Sequence, residues 1–431
     1  MHSCFKIIKG SVNAPRGFLS AGAHCGIKPT GLGKGASGKN DIAVIVSEEP
    51  AAVAGMFTTN QVCAAPVKVS EPRASKAEAQ AIVVNSGNAN ACTGDRGLRD
   101  AKAMCAQVGK SLNIPQEDVL VCSTGRIGIA LPMPKVKSGI SECLGKLNST
   151  AQNARETAIA IMTSDKVSKE IAVEFELGGK PVRIGGIAKG AGMIEPGMSP
   201  NGHRPASTSL HATMLSFITT DAAITPRALK AALKEAVAQG FNRVTVDGDM
   251  STNDSVIALA NGRAGNKKLG PTSKKDLALF QTALNHVCLE LAKMMVRDGE
   301  GATRLITIRL QGAKTAKDAD TAARTVANSQ LVRTSWCGGD PNWGRILDSL
   351  GYSNAKVVEE KVDVGYSLPG DNRIKFSLKK GKPTKTTLAD LAKITKRKEF
   401  DLHINLNLGK GAALIYSADL TEEYVTFNRG E

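Results

Sequence analysis

The sequence predicts an α/β protein of mixed α+β character, a layered sandwich of mixed β-sheets flanked by helices. Three observations support that class. Short apolar runs rich in Val and Ile alternate with segments of helical periodicity along the chain. With 43 glycines among 431 residues, the chain is well supplied with tight turns. Hydrophobic residues make up 42% and aromatics only 4%, the balance of a globular chain whose core is built mainly from aliphatic side chains. At this length, several domains or one large layered domain are expected.

Taken in order, IAVIVS at 42–47, AIVVN at 81–85 and VLVC at 119–122 read as short strands, with a helix near RGLRDAKAMCAQVGKSL. A second helix covers TAQNARETAIAIM, and a strand pair, IAVEFEL and VRIGGIA, folds back around GGK. From Gly190 to His211 the pattern breaks into a Gly/Pro/Ser-rich loop, the best candidate for a boundary. Beyond it, TPRALKAALKEAVAQG is a helix with a Thr cap, a first-turn Pro and a Gly stop. RVTVDG reads as a strand, KDLALFQTALNHVCLELAKMMV as a long helix, RDGEGAT as a loop and RLITIRL as a strand. No internal repeat is evident.

The formal net charge of +16 suits nucleic acid, an anionic membrane surface or small acidic substrates. Much of it lies in KKLGPTSKK at 267–275 and in the basic stretch 379–398, which read as solvated faces and loops. With two Trp and four Tyr there is little aromatic interleaving for base stacking, so no nucleic-acid partner is expected. No apolar run approaches membrane-spanning length and the N-terminus lacks a signal-peptide core, so the expectation is a cytoplasmic protein without a membrane partner. The nine cysteines are scattered without CxxC or Cys/His spacing, which points to free thiols and to no metal site.

Several motifs fail on inspection. GKGASGKN at 33–40 nearly matches a phosphate loop, but Asn40 replaces the magnesium-binding hydroxyl and a strand follows where a helix should open, so it reads as a glycine turn. VDGDMSTND places Asp247, Asp249, Ser251 and Asn253 at alternate positions, as a calcium loop does. Thr252 and Ala258 occupy the positions that need Gly and a bidentate Glu, so the segment reads as a structural strand-to-loop turn, with the lining of a site as the lesser alternative. No Gly-x-Ser-x-Gly elbow or His/Ser/Asp set is present, which disfavours a common serine hydrolase. NSGNANACTG and STGRIG are glycine-rich turns after apolar strands, where backbone N–H groups can converge on an anion or oxyanion.

Against that background, GGIAKGAGMIEPGM and ATMLSFITTDA resemble the signature of the glutamate N-acetyltransferase (ornithine acetyltransferase) family of arginine biosynthesis. Further blocks similar to that family run through most of the chain: HCGIKPTG, GMFTTNQVCAAPV, NSGNANACTG, CSTGRIG, AIMTSD, VDGDMSTNDS, RDGEGATRL and GGDPNWGRI. The resemblance implies the fold of that family and a precursor that cuts itself between Ala212 and Thr213. The products would be an α chain, 1–212, carrying the oxyanion hole and half of the substrate site, and a β chain, 213–431, beginning with the Thr213 nucleophile. The usual assembly is an α2β2 heterotetramer.

By the same resemblance, Thr124 and Gly125 form the oxyanion hole, and Thr163, Lys189, Thr213, Glu300 and Asn428 contact substrate. Lys189 suits a carboxylate and Glu300 an amino group, each by opposite charge. An N-terminal Thr carries its own base, an α-amine of unperturbed pKa about 7.7–8.0, so no histidine is required. The implied reaction moves acetyl from N-acetylornithine to glutamate through an acetyl-Thr213 ester, with no resident cofactor and with acetyl-CoA as a candidate co-substrate. The rivals are an N-terminal-Thr amidohydrolase or aminopeptidase, and an uncut, non-catalytic binding protein.

Two departures from the family pattern stand out. Residues 199–211 intervene between the GMIEPGM block and ATML, and YVTFNRGE retains Asn428 but stops before the Tyr and terminal hydroxyl residue that normally complete the site.

Overall fold

The protein is described from a computed structural model, which covers residues 4–28, 38–199 and 214–429. In chain order the strands of the first half are β1 (Lys6–Ile8), β2 (Phe18–Ala23), β3 (Ile42–Phe57), β4 (Glu78–Asn88), β5 (Val119–Arg126), β6 (Lys169–Leu177) and β7 (Lys180–Lys189). Those of the second half are β8 (Leu215–Thr220), β9 (Val244–Thr245), β10 (Ser255–Ala260), β11 (Leu305–Ala313), β12 (Asp363–Ser367), β13 (Lys375–Lys379), β14 (Lys382–Pro383), β15 (Glu399–Asn405) and β16 (Gly411–Ala418). They form two mixed sheets, as the alternating pattern predicts.

The first sheet runs β1-β6-β7-β8-β10-β3-β4-β5, with β2 also on β3. Strand β3 can serve three neighbours because its register shifts between Val46 and Ala51, around Pro50, a residue with no N–H to give a ladder. Before the shift β3 pairs with β2, and after it with β10. Strands β8 and β10 lie side by side and parallel, and every residue of LSFITT and SVIALA is buried. That is why these runs read as apolar throughout rather than alternating. The pair is linked through the helix Pro226–Gln239, whose Thr225 cap accepts a hydrogen bond from the Ala228 N–H.

One face of this sheet packs on the helices Pro226–Gln239 and Lys274–Arg297, in a core that reaches Leu305, Tyr416 and Ala418 of the second sheet. A further cluster includes Ala154, Ala158 and Ile161, at the end of the helix Ala151–Ala160, together with Val53, Phe57, Phe217 and Ile257. The second sheet, β14-β13-β12-β15-β11-β16-β9, builds its own core with Trp336, Tyr366 and Phe400 against the helices of residues 316–351 and 388–395. Strands from both sides of the Gly/Pro/Ser-rich break share the first sheet, with β7 antiparallel to β8 from Ile184↔Thr220 to Lys189↔Leu215.

Two expectations change. The described part of the Gly190 loop is packed inside: Ile194 and Met198 join the core, and buried Glu195 pairs with Arg324 at 2.9 Å. RVTVDG gives a strand only over Val244–Thr245, because the Val246 N–H donates to the Ile194 carbonyl at 2.7 Å and leaves the ladder. No helix among the described residues is long and apolar enough to cross a membrane. All nine cysteines are free.

Candidate active site

The glycine turn at the end of β5 is held in an open, unusual shape. Gly125 has φ of 132°, and a Cβ there would run into the backbone of Gly87 and Asn88 at the end of β4. Only glycine allows that approach. Around it the turn is braced by polar groups. Ser123 Oγ donates to Asn85 Oδ1 at 2.6 Å, Asn85 Nδ2 to the Asn88 carbonyl at 2.8 Å, and Asn253 Nδ2 to the Ser123 carbonyl at 2.8 Å. VDGDMSTND, read from sequence as a simple turn, therefore brings Asn253 against the glycine turn, and Asn253 is buried.

Lys189, at the end of β7, reaches this corner: its Nζ donates to Thr124 Oγ1 at 3.2 Å. Both residues are buried, Lys189 at 2% exposure and Thr124 at 1%, so neither is a surface group. Burial pulls the Lys189 pKa down, while the Asp165 carboxylate opposes that shift. Asp165 is the hub beneath it. Its oxygens accept from the Gly190 N–H at 2.7 Å, the Thr163 N–H at 2.9 Å and Lys169 Nζ at 2.6 Å. Burial alone would raise the Asp165 pKa, but Lys189 and Lys169 overcome it and hold the carboxyl at about 2. Lys169, itself wholly buried, also donates to Asp298 at 2.5 Å. Asp298 in turn accepts from the Lys166 N–H at 3.1 Å. The AIMTSD and RDGEGAT loops are thus tied through one ammonium group.

Glu300 follows two residues later, half-buried, its N–H donating to the Ala191 carbonyl at 2.8 Å. Its carboxylate lies so near Gly192 that a Cβ there would collide with it. Asn428 Nδ2 donates to Glu300 Oε2 at 3.1 Å and to the Tyr424 carbonyl at 2.9 Å. The helix Glu422–Phe427 is anchored over this loop by Thr421 Oγ1, which donates to the Gly301 carbonyl at 2.7 Å.

Asp247 lies alongside, accepting from the Met193 and Ile194 N–H groups at 2.6 and 2.8 Å, and burial pushes its pKa up to about 6. Lys28 stands on the other flank. Burial lowers its pKa to about 8 against the pull of Asp41, with Lys189 and Asp165 among the charges that it senses.

Of the eight residues expected at the site, the structure joins Thr124 to Lys189, brings Thr163 and Gly190 onto Asp165, and joins Glu300 to Asn428. Ala212 and Thr213 lie outside the described residues. The chain on either side of that stretch is fixed to one corner. Ser199 forms a bridge with Phe57, Phe57 is in register with Ser255, and the Ser255 N–H donates to the Met214 carbonyl at 3.1 Å. The Met214 N–H donates to buried Asp254 Oδ1.

Sequence reasoning gave no role to Asp165, Lys169, Asn253 or Asp254. Three of them were nonetheless inside the quoted blocks AIMTSD and VDGDMSTNDS. Among the described residues no group of three or more His, Cys, Asp or Glu is placed to hold a metal ion. A cleft on the second sheet, lined by Arg243, Arg309 and His403, offers no free cation from its arginines, which pair with Asp320 and Asp401 at 2.7 Å each.

A buried cation beside a glycine turn, with carboxylates ordering the loops around it, is an arrangement suited to holding an anion. The family model described as the ArgJ family matches residues 19–430, and the chain belongs to that family. It is an enzyme of arginine biosynthesis.

The chain is 44% identical to the arginine biosynthesis bifunctional protein ArgJ of Symbiobacterium thermophilum, over 98% of both chains. It is 43% identical to the glutamate N-acetyltransferase of Methanocaldococcus jannaschii, again over 98% of both. The solved ornithine acetyltransferase of Mycobacterium tuberculosis, in complex with ornithine, matches at 37% identity and a TM-score of 0.41, covering 45% of this chain and 100% of that one.

Proposed function

We propose that the protein is a self-cleaving acetyltransferase that moves acetyl from N-acetylornithine to glutamate, with Thr213 as the nucleophile. The observation that carries this reading is the meeting of Thr124 and Lys189, 3.2 Å apart and buried, at the corner where the described chain resumes at Met214. In the proposed maturation, the Thr213 hydroxyl attacks the Ala212 carbonyl, the amide becomes an ester, and water releases the 1–212 chain. A free α-amine at Thr213 results.

In the transfer step the Thr213 hydroxyl adds to the acetyl carbonyl and its proton passes to the α-amine. The Gly125 turn supplies the donors for the oxyanion, with Thr124 beside them; one such donor contributes about 2.7–4 kcal/mol to lowering a barrier of this kind. As the C–N bond breaks, the α-amine returns the proton to the departing ornithine nitrogen. Glutamate then attacks the acetyl-Thr ester by the reverse sequence. Lys189 serves the substrate carboxylate, Glu300 the amino group, and Thr163 and Asn428 the remaining polar contacts. The reaction needs no resident cofactor, and acetyl-CoA enters as an alternative acetyl donor for glutamate. The two chains act as an α2β2 assembly in the cytoplasm.

A denaturing gel with N-terminal sequencing of the smaller fragment tests the first half, the expected start being Thr213. Thr213→Ala is expected to remain uncut and to lose transfer, and an uncut active enzyme would refute the nucleophile. Acetylornithine consumed without acetylglutamate formed would instead indicate an amidohydrolase.

A further inference from the structure

The HCGIKPTG block brings a second cation, the partly buried Lys28, to the glycine turn, and neither the resemblance nor the proposed reaction gives it a role. Asp41, wholly buried just before β3, fixes the segment. Its carboxylate accepts from the Cys25 and Ile27 N–H groups at 2.7 Å each and from the Lys28 N–H at 3.0 Å. The Lys28 stem then runs against the end of β4, where a Cβ on Gly87 would lie 3.0 Å from Lys28 Cγ. Gly87 is in register with Gly125, and Ser86 with Thr124. Lys28 and Lys189 therefore reach the same pair of strand ends, one against β4 and the other, through Thr124, against β5.

At its tip, Lys28 Nζ donates to the Asn40 carbonyl at 2.7 Å and to the Ala160 carbonyl at 3.4 Å, the latter already accepting from Ser86 Oγ at 2.5 Å. Ala160 begins the AIMTSD loop that carries Thr163. An ammonium group has a further proton to give beyond these two carbonyls. Among the described residues neither Lys28 nor Lys189 forms an ion pair. Two desolvated cations at one glycine turn, with no carboxylate paired to either, call for an anion.

We propose that Lys28 is a specificity-determining residue of the substrate site, holding together with Lys189 the carboxylate that the acetyl donor and glutamate have in common. The inference rests on the proposed function. Lys28 moves no proton in the reaction and takes no part in the bond changes. Burial draws its pKa down to about 8, with Asp41 and Asp165 opposing that shift and Lys189 and Lys39 reinforcing it. His24, 3.5 Å from Asp41, and Lys135, whose Nζ donates to the Gly26 carbonyl at 3.4 Å, also face this segment. Lys28 is thus mostly charged at about pH 7 and mostly neutral at about pH 9.

Steady-state kinetics of the full chain carrying Lys28→Met test the role. KM for both N-acetylornithine and glutamate is expected to rise at least about tenfold, with kcat held within about twofold. Lys28→Arg restores the charge and should recover most of both KM values. In the native enzyme KM for N-acetylornithine should climb from about pH 7 to about pH 9 as the ammonium loses its proton, and Lys28→Arg, which does not titrate there, should lack that rise.

Native KM values in Lys28→Met overturn the proposal, and so does a fall in kcat at unchanged KM, the pattern of a disturbed oxyanion turn. If Lys28→Met does not accumulate as folded protein, the pH series on Lys28→Arg decides, and a rise equal to the native one overturns the proposal. The native enzyme assayed alongside separates the two readings. Absence of transfer from N-acetylornithine to glutamate would sink the proposed function, whereas native transfer beside unchanged KM in Lys28→Met removes only the role of Lys28.

Discussion

Replacing Lys169 by Met would leave Asp165 and Asp298 buried without the cation that they share. Lys169 has no solvent exposure and donates to the two carboxylates at 2.6 and 2.5 Å. Removing one partner of such a buried arrangement costs about 3–5 kcal/mol, because the remaining charges stay desolvated. That is a large share of the roughly 5–15 kcal/mol that holds a typical folded protein together.

The deficit should also depend on pH. In the native protein the Asp165 pKa is depressed from 3.8 to about 2, so its favourable contribution is fully present above 3.8 and is lost as pH falls from there toward 2. Without Lys169 less of that contribution exists, and the gap between native and variant should close on acidification. Urea or thermal midpoints at pH 7 and near pH 2 provide the assay. A deficit below about 1 kcal/mol at pH 7, or one that widens at low pH, would refute this account of the network. The same variant loosens both the Thr163 and Glu300 loops, so a higher KM for the acetyl donor is expected alongside.

Two further outcomes follow from particular contacts. Gly125→Ala would place a Cβ against the Gly87 and Asn88 backbone at φ of 132°, so a stability loss of about 1–3 kcal/mol or more and a fall in transfer of at least about a hundredfold are expected; native activity would show that this turn does not hold the oxyanion donors. Asp247, raised from 3.8 to about 6 by burial, binds its proton more tightly when folded, so stability should fall by up to about 3 kcal/mol as pH rises from 4 to 6. Asp247→Asn should flatten that slope in urea midpoints, and an unchanged slope would assign the titration to other groups.

Much of the layered architecture was legible because its strands and longer helices are strongly patterned. The helices Gly94–Leu112 and Lys274–Arg297 and the hairpin of β6 and β7 fall where periodicity and the Gly178-Gly179 turn place them. The helix Ala65–Ala74 did not announce itself, since APVKVSEPRA carries Pro72 inside it and is held by burial of Ala65, Val67, Val69 and Ala74 rather than by a periodic apolar face. RVTVDG looked like a full strand, yet Val246 and Asp247 make their bonds to the Gly190 loop instead. A local apolar pattern reports burial but cannot report which partner takes each backbone group.

By itself the sequence determined the chemistry on offer: a hydroxyl residue before an apolar strand, glycine turns after strands, and the ordered blocks that place the chain in its family. Tertiary structure decided the neighbours. Asp165 serves Thr163, Lys169 and Gly190, Lys169 reaches Asp298, 129 positions away, and Asp254 ends beside Met214, 40 positions away. These carboxylates share no period or motif with the groups that they hold. Their roles come from burial, since a charge removed from water must find its partners wherever the sheet brings them.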